Sequence, residues 1–259
     1  MWTLVLAVAL ATGSGPELDA DADETPAATT LQFPGAILGT VLWAGRSRFW
    51  FTGDSCEVHE FDMEGHPGVE TGLGNVVVVA QPLGRENQRW FREHPQALHY
   101  DDDDHADLWW DEAPSETVVA VPLGGPLVIR NEFGIDRELR VYRGRALFQT
   151  IEIGANDVQK VTLPEGIFRI ADPAYRAKAW AYVTPYPAWV TGGNCRYAFS
   201  NLPSGRYRLT GWHPRAGTRS RTFPVGKRKV NYLTPLLFGA AGEACRSEGF
   251  GCYGPIKPR

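Results

Sequence analysis

The sequence predicts an all-β protein built as antiparallel Greek-key sandwiches, on three observations. Short runs of β-branched and aromatic residues recur between turn signals at intervals of roughly 8 to 12 residues. Turn formers and bulky strand residues are plentiful, with 28 glycines, 19 prolines and 12% aromatics. One stretch alone, Gly84 to Leu98, carries an apolar pattern that suits a helix, and Pro95 stops it. The 259 residues, 43% hydrophobic and 22% charged, suffice for a buried core and exclude a largely disordered chain. After the N-terminus no apolar run approaches the roughly 20 residues that span a bilayer, so no integral span is expected.

Ala36 to Trp43 reads as the first strand, ended by Ala44-Gly45. Val76 to Ala80 is a continuous β-branched run of the kind buried on both faces, and Pro82 ends it. Val118 to Val121 and Leu127 to Asn131 read as two strands around the turn Pro122 to Pro126. Val141 to Ile153 alternates loosely, and Val158 to Ile170 holds two strands around Pro164-Glu165-Gly166. Ala179 to Val183 alternates small and bulky. Cys195 to Phe199 and Arg206 to Trp212 read as a hairpin about Ser200 to Gly205, its arginines alternating with Tyr207 and Leu209. Thr222 to Val225 and Val230 to Leu233 close the sheet.

Residues 1–15 have the length and the Ala9-Leu10-Ala11 pattern of a signal peptide. Residues 16–32 are small, acidic and prolyl, and read as a disordered linker. Export predicts a periplasmic or secreted protein, and the even set Cys56, Cys195, Cys245 and Cys252 suits that oxidising compartment. Four cysteines allow three pairings. A loop between Cys245 and Cys252 would pin the C-terminal tail, residues 236–259, and leave Cys56 with Cys195. Charge is polarised: through Glu116 there are 21 acidic and 5 basic residues, while the remainder holds 9 acidic and 21 basic. The halves of one fold are expected to neutralise each other in part. Nucleic-acid binding fits the basic half but clashes with export.

Thr184-Pro185-Tyr186-Pro187-Ala188, Tyr197 to Leu209 and Gly211-Trp212-His213-Pro214-Arg215 resemble the C-terminal half of exported bacterial cupredoxin-like proteins, labelled methylamine-utilisation or plastocyanin-like. Gly39-Thr40-Val41, Gly72 to Val78 and Val121 to Gly125 are similar to earlier strands of that family. The segment Asn201 to Leu209 also resembles the regulatory, prealbumin-like β-domain of carboxypeptidases. The resemblance implies a cupredoxin-like domain over residues 33–182 and a carboxypeptidase-regulatory-like domain over 183–235. Copper of this class needs a thiolate and imidazoles. Ala171 and Ala174 stand at the family's Cys-x-x-His positions, and Asp136-Arg137-Glu138 stands near a further histidine position. The resemblance therefore implies the scaffold without type I copper, and no cofactor. His213, in the family's Trp-His-Pro pattern, is expected to hydrogen-bond backbone at a strand end.

Other chemistry finds weak footing. Ser204 lies in a turn that is no nucleophile elbow. Glu57 with Glu60 is a carboxylate pair whose spatial separation sequence spacing does not set. Gly35 to Gly39 lacks dinucleotide spacing. Asp101 to Asp104 with Asp107 lacks the glycine turn and closing glutamate of a calcium loop, and reads as a solvated loop docked by Leu108-Trp109-Trp110. No enzyme is expected. The expected function is a non-catalytic envelope protein that binds a glycan or a protein partner. Trp180 and Trp212 read as core, while Tyr186 and Trp189 lie among prolines and are the candidate ligand platform. The basic run Arg215, Arg219, Arg221, Lys227, Arg228 and Lys229 reads as a solvated hairpin, with an anionic polymer as the rival partner. The alternative function is a periplasmic copper protein using a different site, at His94, His99 and His105.

Overall fold

The computed structural model describes residues 35–43, 55–56, 71–94, 106–110, 117–174, 177–192, 195–227 and 229–239. The expected signal peptide and linker, His59, His66, His99, His105, Asp101 to Asp104, Cys245 and Cys252 lie outside them. Strands dominate, and one helix, α1 (Arg85–Glu93), occurs among the described residues. It ends at His94, directly before Pro95, as the proline predicts.

Four sheets pack as two sandwiches. The first pairs a five-stranded sheet with a three-stranded one. The five strands lie in the order β6 (Thr117–Pro122), β12 (Ala177–Thr184), β11 (Gly166–Asp172), β8 (Arg137–Arg143) and β9 (Ala146–Ile153). The three are β10 (Val158–Thr162), β7 (Pro126–Asn131) and β5 (Ala106–Trp110). Leu127, Ile129, Leu139, Val141, Phe168, Ile170, Ala181 and Val183 fill the core between them. Period-two burial along β8, with Arg137, Leu139 and Val141 inward, is the half-buried strand pattern.

The second sandwich pairs a four-stranded sheet, ordered β13 (Ala188–Val190), β4 (Val77–Pro82), β15 (Gly205–His213) and β16 (Gly217–Val225), with a six-stranded one. That larger sheet runs β14 (Arg196–Leu202), β1 (Gly35–Trp43), β3 (Thr71–Leu73) and β2 (Ser55–Cys56), with β17 (Val230–Tyr232) and β18 (Leu236–Phe238) also on β1. Val76 to Ala80 is buried throughout because β4 is central and covered on both faces. One face packs Ile37, Phe199, Tyr207 and Leu209. The other meets the five-stranded sheet, where the Trp212 ring lies 5.7 Å from Trp180 and 5.8 Å from Tyr182. Pro224 sits on edge strand β16, where a missing N–H costs no ladder bond.

Pairing departs from sequence order in three places. The turn after β6 carries the chain to another sheet, and β6 instead pairs in parallel with β12. The turn Pro164 to Gly166 likewise joins β10 and β11 of different sheets. Most notably, β14 and β15 form no hairpin: β14 pairs with β1, while β15 lies between β4 and β16. In a sandwich, a turn that crosses between layers has the same Gly/Pro chemistry as one that reverses within a layer. β5 was not anticipated; Leu108 and Trp110 are core, and Trp109 points outward.

These pairings also correct the expected domain boundaries. The division after residue 182 falls inside β12, and strands from 183 onward are laddered to β1 and β4. The division after 235 precedes β18, whose Leu236 and Phe238 are core. From Phe33 onward the chain is one compact unit. No helix among the described residues is long and apolar enough to cross a membrane.

Candidate functional site

A cleft of about 300 Å³ opens where the four- and five-stranded sheets diverge. Val79 and Gln81 of β4 and Thr210 of β15 form one wall; Gly166 and Ile167 of β11 and Tyr182 of β12 form the other. Val183, Thr184 and Tyr186 line the crossing between them, and Arg143 and Glu165 complete the lining.

The crossing is held rigidly. The Leu123 N–H donates to the Thr184 carbonyl at 2.9 Å, and the Ala80 N–H donates to the Pro187 carbonyl at 2.9 Å. The Thr184 Oγ1 accepts the Tyr186 N–H at 3.2 Å, a local side-chain turn that suits a threonine before a proline. Tyr186 is thereby turned inward and is 7% exposed. This corrects the expectation of an open platform: β12 and β13 belong to facing sheets, so the segment joining them is packed between layers. Trp189 lies apart from the cleft lining, half-buried on β13 opposite Val78.

Arg143 reaches the cleft across Gly166. Its Nη2 donates to the Glu165 carbonyl at 3.0 Å. Gly166 has φ +146°, and a Cβ there would lie 3.2 Å from that nitrogen. Glycine serves twice, for the backbone and for the guanidinium beside it. The Glu165 carboxylate faces Arg92 of α1 at 3.8 Å, both half-exposed, a weak pair that leaves Arg143 as surplus positive charge. Two phenol rings, one carboxamide, two threonine hydroxyls, one guanidinium and one carboxylate thus surround a narrow space. Such a set grips a small polar molecule with apolar faces by stacking and hydrogen bonds.

Sequence reasoning missed Gln81, Arg143, Glu165 and Thr210. A polar residue ending a buried β-branched run was the available signal for Gln81, and one breaking an apolar strand face was that for Thr210.

The other candidates fall elsewhere. Cys195 is disulfide-bonded, while Cys245 and Cys252 lie outside the described residues. His94 is exposed, stacks on Trp90 at 4.7 Å, and donates through Nδ1 to the Trp90 carbonyl at 2.9 Å. No group of three or more His, Cys, Asp or Glu that could hold a metal occurs among the described residues. Asp107 pairs with Arg130 at 3.1 Å. Trp180 and Trp212 are core. His213 is fully buried, and its Nδ1 accepts the N–H groups of Arg215 at 3.1 Å and Ala216 at 3.0 Å, the strand-end role expected of it.

The segments that carry Arg137 and Asp172 meet inside the first sandwich. Arg137 Nη1 contacts Asp172 Oδ2 at 2.5 Å, both side chains 2% exposed. Asp172 Oδ1 accepts the Ala174 N–H at 2.9 Å, and the Arg137 guanidinium covers the Phe133 ring at 4.2 Å. An ion pair closes this junction of β8 and β11.

No family model matches the chain, and no curated protein matches it in sequence. Among solved structures, a mutant of amicyanin with Cu(I) is similar to part of it, at 12% identity and a TM-score of 0.26, covering 41% of this chain and 98% of that one.

Proposed function

We propose that this protein is an exported, non-catalytic β-protein of the cell envelope that binds a saccharide in the cleft between its sandwiches. The observation that carries the reading is the cleft lining: Tyr182 and Tyr186 beside Gln81, Arg143, Thr184 and Thr210, converging from both walls. Sugars present alternating apolar faces and hydroxyl edges, and this lining matches both. Among the described residues Glu165 is the one carboxylate of the lining, and two-carboxylate hydrolysis needs a pair. The scaffold is read as a cupredoxin-like one without type I copper. Supporting that part, the Arg137–Asp172 pair is buried where the resemblance places copper ligands, and each charge neutralises the other.

A glycan array probed with the full chain tests the binding reading. Neutral or charged saccharides are expected to bind. Gln81→Ala and Thr210→Val should each weaken binding about tenfold, one good polar contact apiece, whereas Trp189→Ala should leave it within about twofold. Binding abolished by Trp189→Ala alone would move the site to the surface platform. Elemental analysis of protein from its native host tests the copper-free reading. Stoichiometric copper that disappears when His94, His99 and His105 are replaced would overturn it.

A further inference from the structure

We infer that the saccharide bound in the cleft is acidic, an oligosaccharide bearing carboxylates such as a uronate. The inference rests on the cleft reading above and adds the charge of the ligand. Three observations carry it. First, two guanidiniums and one carboxylate stand at the cleft, Arg143 and Glu165 in its lining and Arg92 facing Glu165.

Second, the wall formed by β15 continues out of the cleft as an open cationic face. Thr210 lines the cleft, and successive residues on that face of a strand are two apart. The next are therefore Arg208 and Arg206. Arg208 lies directly opposite Gln81 on β4, itself a cleft residue, and opposite Thr222 on β16. Arg206 and Arg208 are exposed, and neither forms an ion pair with a described residue. On β16, exposed Thr222 lies opposite Arg208 and exposed Ser220 opposite Thr210. Thr210, Arg208 and Arg206 follow one another about 7 Å apart along the strand. A chain leaving the cleft along this wall would meet two guanidiniums and two hydroxyls in turn.

Third, the arginines of β16 lie on the other face of the hairpin, opposite Leu209 and Gly211. Arg219 Nε donates to the Leu237 carbonyl at 3.2 Å, and Arg221 Nη1 to the Thr234 carbonyl at 2.5 Å. On the cleft side the arginines of this hairpin are Arg206 and Arg208.

A guanidinium fork matches the planar, bidentate geometry of a carboxylate. The single surplus charge within the cleft suits a monoanion. A phosphate dianion would set twice the charge beside Glu165.

The test compares trigalacturonate with its methyl ester, which keeps the backbone and removes the charge, by calorimetry on the full chain at low and moderate salt. The acid is expected to bind about tenfold tighter, and salt should narrow the gap. Arg208→Gln should cut the acid's affinity about three- to tenfold and close most of the gap, with an unchanged melting temperature showing that the fold is intact. Equal binding of acid and ester overturns the charge inference and leaves the cleft reading standing. Arg208→Gln weakening both alike also overturns it. Failure of both probes, together with failure of every neutral glycan on the array, overturns the cleft reading as well.

Discussion

Gly39 and Tyr197 face one another across β1 and β14, and the tyrosine ring covers the glycine so closely that a Cβ there would collide with the phenol oxygen and Cζ. Gly39→Ala is therefore expected to destabilise the fold by about 1–3 kcal/mol through overpacking, and adding Tyr197→Leu should recover part of the loss. A denaturant midpoint measures both. The Tyr197 hydroxyl is buried without a hydrogen-bond partner among the described residues. Burial pushes this phenol up from its ordinary 10.0, against a smaller opposing effect of the Arg221 charge. The unfolded chain ionises there from about pH 10 while the folded one stays protonated. The stability tied to this group is thus fully present below pH 10 and declines above it, by about 1.4 kcal/mol per pH unit. Tyr197→Phe should gain about 1 kcal/mol at neutral pH, since an unpaired buried hydroxyl is removed. It should also decline less steeply between pH 10 and 11. Urea titrations at pH 8, 10 and 11 check both, and equal slopes for the two proteins would sink the account.

At the scale of elements, Arg137 and Asp172 tie β8 to β11 inside the first sandwich, on opposite sides of their shared ladder. Removing one partner strands a buried charge. Asp172→Asn is accordingly expected to cost about 3–5 kcal/mol, whereas the double change Arg137→Met with Asp172→Leu should be far milder, since an apolar pair carries no desolvation penalty. Equal losses in the two variants, read by chemical denaturation, would count against this account. The same junction shows what spacing alone reveals. The alanines at 171 and 174 were legible in the sequence as small, uncharged side chains. That a buried ion pair fills the junction was not, because Arg137 and Asp172 are 35 positions apart. Strand β4 was legible from its unbroken valines, and α1 from Pro95. The Tyr186 environment was not: a proline-flanked aromatic reads as a surface loop until the layers on either side of it are known.

At the scale of the whole molecule, the first strand is held by the last ones. β1 pairs with β14, β17 and β18, and Asn231 donates to the Ala36 carbonyl 195 positions away. Closing such loops precedes any reward from the contacts they allow, so refolding is expected in the range of about seconds or slower rather than milliseconds. Stopped-flow refolding measures it. The chain also passes from the first sandwich to the second through Thr184 to Pro187, and Trp212 packs on Trp180 and Tyr182 between them. Trp212→Ala should cost about 3–5 kcal/mol by leaving a cavity at this interface. Unfolding should remain one transition by fluorescence and circular dichroism, because the first sandwich, β5 to β12, is inserted between β4 and β13 of the second and packs on it through Trp180, Tyr182 and Trp212. Two separated transitions in the wild type would refute this coupling between the inserted sandwich and its host.

By itself the sequence determined the all-β class, the place of most strands, the end of the helix and the inward Tyr207 and Leu209 of β15. These follow from chain-local physics: β-branched side chains, two-residue periodicity, and the backbone limits of glycine and proline. Which strands pair, where one sandwich yields to the other, and which side chains meet in the cleft were decided only by tertiary structure. Val79, Arg143, Gly166, Tyr186 and Thr210 come from five separate segments. Their meeting depends on how four sheets bury their apolar faces together, a choice that no stretch of sequence makes alone.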